Sequence, residues 1–181
     1  MGRSQQDDKI RTMIEQLIDE RTAALREANE RLEREIIERA RVEALLRESE
    51  ERLRLAHKAT NDVVWDWDVV HNTQQWNEAG ATVLGWTEIV AHPVDAHWWV
   101  ERVHPDDRQR VEESFFATVD NPKLDYWHDE YRFLKADGSY ADVMDRGYVL
   151  RDAKGKAVRM IGAMQDITER RQAEEALLKS E

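Results

Sequence analysis

The stretch that decides the fold is Val63–Asp68 (VVWDWD), in which bulky apolar side chains alternate with carboxylates. Alternation with a period of two places Trp65 and Trp67 on one face of a β-strand, and Asp66 and Asp68 on the other. Because one face is aromatic and the other is charged, we expect a half-buried strand. The residues before it follow a different period, so the chain changes its structure at this point.

The residues after this strand predict one domain built from a sheet and helices. Gln74–Trp76 suits a second short strand, and short helices are expected across residues 77–103. Pro105, at a first helical position, opens a helix that runs to about Val119. Turn residues then separate three more strands, at Asp137-Gly138 and at 152–155.

This order predicts an α+β fold. The three last strands form an antiparallel meander, with a strand around Tyr131–Phe133, a second over Ser139–Leu150 and a third over Ala157–Ile167. Pairing of the first strand with the last would close a five-stranded antiparallel sheet. We expect the helices to cover one face of that sheet.

The residues before the sheet predict one long helix, from about 8 to 58. No aromatic side chain precedes Trp65, and no glycine occurs between Gly2 and Gly80. Apolar residues recur with heptad spacing, which is typical of a coiled-coil seam. The predicted dimer seam consists of Ile14, Ile18, Leu25, Ala28, Leu32, Val42, Leu46 and Leu53.

This stripe is too long to be buried on the domain that follows, so we expect it to pack against a second copy as a parallel coiled coil. Arg21, Glu35, Arg39 and Ser49 interrupt the seam. Polar residues at seam positions reduce stability. Two interpretations stay open: a fixed dimeriser, and a weak coiled coil that shifts when a signal arrives.

Composition excludes several classes of function. The chain of 181 residues has a net charge of −11, and residues 59–166 carry 11 basic and 20 acidic side chains. Such a domain should repel nucleic acid. The absence of cysteine excludes disulfides, thiolate metal sites and cysteine nucleophiles. With no long apolar run, we expect no membrane contact by this segment and a cytoplasmic location, although a longer parent could be membrane-anchored.

Catalysis finds no support in the sequence either. There is no glycine-rich phosphate loop and no Ser-His-Asp arrangement with defensible spacing. His57 lacks the neighbours typical of a kinase phosphoacceptor histidine. We therefore expect no catalytic residues in this chain.

Four segments together resemble a PAS sensory domain with its C-terminal PAC segment. They are the Val63–Asp68 strand, Trp99–Arg108 (WVERVHPDDR), the hairpin from Tyr131 to Gly138, and Gly162–Thr168 (GAMQDIT). The last is the most specific. The leucine-rich helix resembles the signalling helices of bacterial sensor histidine kinases. The resemblance implies a signalling helix over 1–52, a PAS/PAC domain over 53–168 and an exit helix over 169–181.

The function implied is that of a sensory module that relays a stimulus to an output domain outside this chain. A two-component histidine kinase is the expected output. The alternatives are a diguanylate cyclase, a haem-based sensor and a purely structural dimerisation module. A modular parent is also indicated by an internal repeat, since Ile36–Glu50 and Ile167–Glu181 are identical at seven of fifteen positions.

The resemblance also suggests where the signal leaves the domain. Asp166, Thr168 and Gln165 lie where the last strand becomes the exit helix, and are predicted as the signal relay. We expect Thr168 to cap that helix through its hydroxyl. We expect Asp166 to hold an arginine or lysine on the entry helix or the loop before it.

The aromatic residues suggest a pocket, although packing in the core and dimer explains most of the tryptophans. The candidate lining residues are Trp65, Trp67, Phe115, Tyr131, Phe133 and Met164. No cofactor or metal is expected. For haem, only His97 and His128 lie near tryptophans and could serve as an axial ligand, while His104 suits a helix cap.

Flavin is disfavoured by two departures from the photoactive relatives. They form their adduct with a cysteine, which this chain lacks. They also carry a glutamine on the last strand where Met164 stands here, with Gln165 one place away.

Overall fold

The computed structural model describes residues 2–180, so Met1 and Glu181, the outer ends of the predicted segments 1–52 and 169–181, lie outside the described residues. The chain divides into two compact units between Leu53 and Arg54. Helix α1, Gly2–Thr60, is longer at both ends than predicted. It ends where Asn61 adopts a positive φ of 55°, a conformation that asparagine tolerates at a helix C-terminus.

In the first unit, the predicted seam side chains face solvent. Seven of them are more than half exposed, and Ala28 is partly exposed. Two ion pairs form between residues four apart, Glu35 with Arg39 at 2.7 Å and Glu48 with Arg52 at 2.9 Å. Across residues 2–180, none of the helices carries an apolar stretch long enough to cross a membrane.

The second unit contains the predicted five-stranded antiparallel sheet. Its strands are β1 Val63–Asp68, β2 Thr73–Trp76, β3 Tyr126–Leu134, β4 Tyr140–Arg151 and β5 Ala157–Asp166. They lie in the order β2-β1-β5-β4-β3, so the first strand pairs with the last, as predicted. Val63 at the start of β1 lies opposite Met164 near the end of β5. The chain therefore enters and leaves the sheet on adjoining strands at one end.

The connections match the turn chemistry of the sequence. Gly138 has a φ of +86° in the β3–β4 turn, and Gly155 has a φ of +80° in the β4–β5 turn. Only glycine adopts such values without strain. The two turns predicted from Asp-Gly and from residues 152–155 are confirmed.

Five helices accompany the sheet: α2 Ala79–Thr82, α3 Glu88–Ala91, α4 Ala96–Arg102, α5 Pro105–Asp120 and α6 Thr168–Ser180. His104 caps α5, since its Nδ1 accepts the N–H of Asp106 over 3.2 Å. The buried face of α5 includes Val111, Phe115 and Val119, which recur every four residues. Phe115 packs on Trp65 and Trp67, so the aromatic face of β1 meets a helix.

Candidate functional site

The indole of Trp65 lies across two glycines on neighbouring strands. Gly162 is the β5 partner of Trp65, and Gly147 on β4 is in turn the partner of Gly162. A Cβ added to Gly162 would lie 2.1 Å from Trp65 Cζ2, and one added to Gly147 would lie 2.7 Å from Trp65 Cη2. The missing side chains therefore create the space in which this indole lies against the sheet.

This position brings the Trp65 indole to a buried acid that the sequence analysis missed. Trp65 Nε1 donates to Oδ1 of Asp145 over 2.8 Å, and the hydroxyl of Tyr131 donates to Oδ2 over 2.7 Å. The same hydroxyl oxygen accepts from Nε1 of Trp99, also at 2.8 Å. Asp145 is only 1% exposed. Trp65 of β1 and Tyr131 of β3 therefore bind one carboxyl group, and Trp99 of α4 is linked to it through Tyr131.

Burial dominates the electrostatics of this group. It raises the pKa of Asp145 to about 7, although the hydrogen bonds from Tyr131 and Trp65 act in the opposite direction. Burial, together with the neighbouring Asp145, also raises the pKa of Tyr131 well above its ordinary value. Among the described residues, no lysine, arginine or histidine pairs with Asp145.

A closed cleft adjoins the acid. It is lined by Trp65, Gln74, Trp76, Trp99, Phe115 and Asp145, and the volume open to a water-sized sphere is about 0 Å³. Two lining atoms, Oε1 of Gln74 and Nε1 of Trp76, are buried without a hydrogen-bond partner. Such groups are costly, since a buried donor or acceptor without a partner keeps its full desolvation penalty.

The predicted pocket residues all belong to this core. Trp65 and Phe115 line the cleft. The others are buried in the same hydrophobic cluster without lining it: Trp67, Tyr131, Phe133 and Met164. Their role in binding a ligand stays a prediction.

The two histidines considered for haem lie elsewhere. His97 is exposed on α4 beside Glu101, with 3.2 Å between His97 Nε2 and the Glu101 carboxylate. His128 is exposed on β3, where its ring stacks on that of Tyr126. Each of these histidines lies on the solvent-facing side of its element and not in the core. Within residues 2–180, no three histidine, aspartate or glutamate side chains converge as a metal site.

A second site forms where β5 becomes α6, and here the predicted capping roles are corrected. The Asp166 carboxylate accepts both the backbone N–H of Thr168 at 2.9 Å and its hydroxyl at 2.6 Å. Asp166 is therefore the cap, and Thr168 is the first helical residue. In the described part of the chain Asp166 has no basic partner, because its carboxylate is turned toward the helix start.

Asp142 on β4 fixes the start of α6, which the sequence did not reveal. Its backbone N–H donates to the hydroxyl oxygen of Thr168 at 3.0 Å, and its carbonyl accepts from the N–H of Ile167 at 2.8 Å. Its carboxylate accepts from Arg171 on α6 at 3.2 Å. Arg171 also reaches Glu130 on β3 at 2.6 Å. Two neighbouring strands thus hold the first turn of the exit helix.

The end of α1 lies beside this junction. A cavity of about 340 Å³ is lined by Thr60, Asn61, Thr82, Val83, Gln165, Asp166, Thr168 and Glu169. It brings together all three predicted relay residues and the last residue of α1. Gln165 follows Met164 on β5, and only Met164 is buried in the core, so the glutamine belongs to the junction.

The residues that the sequence analysis missed share one property: their partners are remote along the chain. Asp145 and Trp65 are 80 residues apart, and Asp142 and Thr168 are 26 apart. The one available signal was Asp145 itself, an acid between apolar residues at buried positions of a predicted strand.

Comparison with known proteins agrees with this architecture. A family model described as PAS fold matches residues 74–164. An uncharacterised protein of Sinorhizobium fredii is 30% identical over 148 residues, which cover 80% of this chain and 17% of that protein. A protein of Escherichia coli named as a probable diguanylate cyclase is 27% identical over 150 residues, 80% of this chain and 13% of its own length. The chain thus spans less than a fifth of these relatives.

Solved structures show the same likeness. A sensory box histidine kinase/response regulator from Burkholderia thailandensis is 27% identical, with a TM-score of 0.59 over 71% of this chain and 94% of that one. The N-terminal domain of a diguanylate cyclase with a PAS/PAC sensor from Marinobacter aquaeolei is 25% identical, with a TM-score of 0.54 over 61% and 98%. Because the family model matches half of its residues, the chain belongs to the PAS fold family.

Proposed function

We propose that this chain is a dimeric, non-catalytic sensory segment of a longer signalling protein, which relays a stimulus from its PAS domain through paired helices to an output domain. The observation that carries the proposal is the pairing of β1 with β5, with Val63 opposite Met164. Strain in the sheet would reach the end of α1 and the start of α6 together. Both ends line the same junction cavity.

Dimerisation is supported by the exposed apolar stripe of α1. Leu25 and Leu32 are 63% and 52% exposed in the single chain. Contiguous exposed apolar surface marks an interaction site. A heptad spacing fits a second copy of the same helix better than any other partner, because identical stripes are complementary in a parallel coiled coil.

The relay is supported by the contacts at the junction. Asp166 holds the first turn of α6 through Thr168, and the last turn of α1 lies beside them. A shift of β5 would therefore alter the start of α6 directly. Two arrangements of the paired helices, biased by the stimulus, would carry the difference to the output.

For the output we propose a histidine kinase, supported by the likeness to the sensory box histidine kinase. A diguanylate cyclase is the alternative, supported by the likeness to the Marinobacter aquaeolei sensor and to the Escherichia coli protein. The cytoplasmic location and the lack of a bound cofactor, both expected from the sequence, remain predictions.

Light scattering on the 181-residue chain tests the dimer. We expect a mass about twice the 21.3 kDa of one chain. Leu32→Lys should give the monomer mass, because it buries a charge in the seam. Ile37→Lys is the matched control: it makes a similar change at a position 68% exposed, five residues on and outside the seam, and should stay dimeric. A wild-type chain that is monomeric at tens of micromolar contradicts the proposal.

Output measurements in the intact parent test the relay. Asp166→Ala removes the cap of α6 and should uncouple the stimulus from the output while the domain stays folded. Asp120→Ala, at the exposed end of α5, is the control and should respond normally. A normal response from Asp166→Ala would remove the relay assignment.

A further inference from the structure

The core contains one acid whose surroundings suit two protonation states. In the structure, both side-chain partners of Asp145 donate to it. Trp65 Nε1 is only a donor, and the Tyr131 hydroxyl donates its proton to the acid while its oxygen accepts from Trp99. This arrangement fits an ionised carboxylate that accepts twice.

A second acid, Asp129, binds the arginine that would otherwise stabilise this charge. Asp129 on β3 lies directly opposite Asp145 on β4. Arg110 on α5 donates to Asp129 at 2.5 Å, and Ser114 donates to it at 3.2 Å. Opposed carboxylates raise the pKa of whichever lacks a counter-ion. Here that acid is Asp145.

Apart from Asp129, the remaining groups that face Asp145 carry no charge. They are Tyr131 from β3, the backbone N–H of Arg146 from β4 and Trp65 from β1, with Gln74, Trp99 and Phe115 lining the same cleft. Tyr131 stays protonated, because burial raises its pKa well above the ordinary value. The Asp129 carboxylate already accepts from Arg110 and Ser114. A proton that enters this core would therefore bind at Asp145.

A protonated Asp145 needs an acceptor, and the hydroxyl oxygen of Tyr131 lies 2.7 Å from its Oδ2. A hydroxyl oxygen can accept two hydrogen bonds, and Trp99 supplies only one of them. The oxygen of Tyr131 can therefore accept from the protonated acid once the Tyr131 proton turns away.

We propose that Asp145 is a proton-binding site through which the domain responds to pH, accepting from Trp65 and Tyr131 when ionised and donating to the Tyr131 oxygen when protonated. The proton comes from solvent and converts the carboxylate to the carboxylic acid. This inference rests on the proposed sensory function and names its stimulus. Asp145 lies on β4 and Tyr131 on β3, the two strands whose Asp142 and Glu130 bind Arg171 of α6. The reversed hydrogen bond would therefore act on the strands that hold the start of the exit helix.

Burial raises the pKa of Asp145 to about 7, so the change would fall near neutral pH. A titration of the Asp145 side-chain carboxyl carbon by NMR in the 181-residue chain tests this. We expect a midpoint between about pH 6 and 8, where an ordinary aspartate titrates near 4. The Trp65 indole N–H resonance should shift with the same midpoint. An Asp145 midpoint below pH 5 would overturn the proposal.

Tyr131→Phe tests the partner, since it keeps the ring and removes the hydroxyl. Because the hydrogen bond from Tyr131 lowers the pKa of Asp145, the midpoint should rise by about half to one pH unit when it is lost. Tyr126→Phe makes the same change at an exposed position of β3 and should leave the midpoint unchanged. A midpoint in Tyr131→Phe equal to wild type contradicts the assignment of Tyr131.

These titrations need neither dimerisation nor an output domain. If Asp145 titrates near neutral pH but the chain is monomeric, the proton-binding proposal stands and the relay proposal fails. If the chain is a dimer with a normal junction but Asp145 titrates near pH 4, the relay proposal stands and the proton-binding proposal fails.

Discussion

The backbone N–H of Asp142 on β4 donates to the hydroxyl oxygen of Thr168 at the start of α6, over 3.0 Å. The same hydroxyl donates to Asp166 at the end of β5, over 2.6 Å. One side chain thus joins two strands to the first residue of the exit helix. A helix start held in this way moves when either strand moves.

Removal of this hydroxyl should loosen the junction. Thr168→Val keeps the β-branched shape, but leaves the Asp142 N–H without its acceptor. We expect a loss of about 1–3 kcal/mol in the free energy of unfolding, measured by urea denaturation. Thr168→Ser restores the hydroxyl and should recover most of it. Equal stability of the valine and serine variants would show that the hydroxyl contributes nothing.

Arg151, near the end of β4, should be a major stabilising residue. Its guanidinium donates to carbonyls of Thr118, Val119, Asn121 and Leu124 around the C-terminus of α5. Arg151→Lys keeps the charge but cannot reproduce these bonds, so we expect a loss of about 2–3 kcal/mol in thermal or urea unfolding.

Arg159→Lys is the matched control for this substitution. Arg159 forms a half-exposed pair with Asp66. Exposed ion pairs contribute about 0–1 kcal/mol, so this variant should unfold almost like wild type. A comparable loss in both variants would contradict the special role of Arg151.

Gly162→Ala should disrupt the core through Trp65. The new Cβ would lie 2.1 Å from Trp65 Cζ2 and 2.4 Å from the carbonyl oxygen of Arg146, which is backbone and cannot move aside. We expect a cost of about 3 kcal/mol or more, at the upper end for overpacking. In Gly80→Ala, by contrast, the closest atom is the tip of the Ile89 side chain at 3.0 Å. That variant should cost less, and the reverse order would contradict the packing described for Trp65.

Two acids should give opposite dependences of stability on pH. Arg132 lowers the pKa of Asp107 to about 2, because its guanidinium and backbone N–H donate to that carboxylate. Asp107 therefore stabilises the fold above pH 4, and this contribution, about 1 kcal/mol, disappears as pH falls toward 2.

The contribution of Asp145 to stability changes with pH in the opposite direction. Its pKa is raised in the folded state, so its contribution is present in full below pH 4 and disappears as pH rises toward about 7. Urea unfolding across this pH range should show that the free energy of unfolding falls by about 2–4 kcal/mol because of Asp145. Asp145→Asn should flatten that fall, whereas Asp107→Asn should reduce the loss below pH 4. An unchanged profile in both variants would contradict these assignments.

How much of this structure the sequence predicts depends on how far apart along the chain the interacting residues lie. Alternation in Val63–Asp68 and the Asp137-Gly138 turn depend on neighbouring residues, so the strands and their order follow from local patterns. The sequence pattern assigned the cap of α6 to Thr168 and not to Asp166, because both residue types are good caps. Asp145 and Arg151 were missed, since most of their partners lie 14 to 80 residues away along the chain. The local sequence pattern alone does not reveal such contacts.

Cysteine cross-linking tests the paired-helix claim most directly, because the native chain has no cysteine. Single substitutions Leu25→Cys and Leu46→Cys lie far apart on the predicted seam, and Ile37→Cys lies outside it. We expect both seam variants to form disulfide-linked dimers under mild oxidation, and Ile37→Cys to remain largely uncross-linked. Only a parallel pair of helices in register can produce this pattern. Cross-linking of Ile37→Cys alone, or of none of the three, would contradict the account.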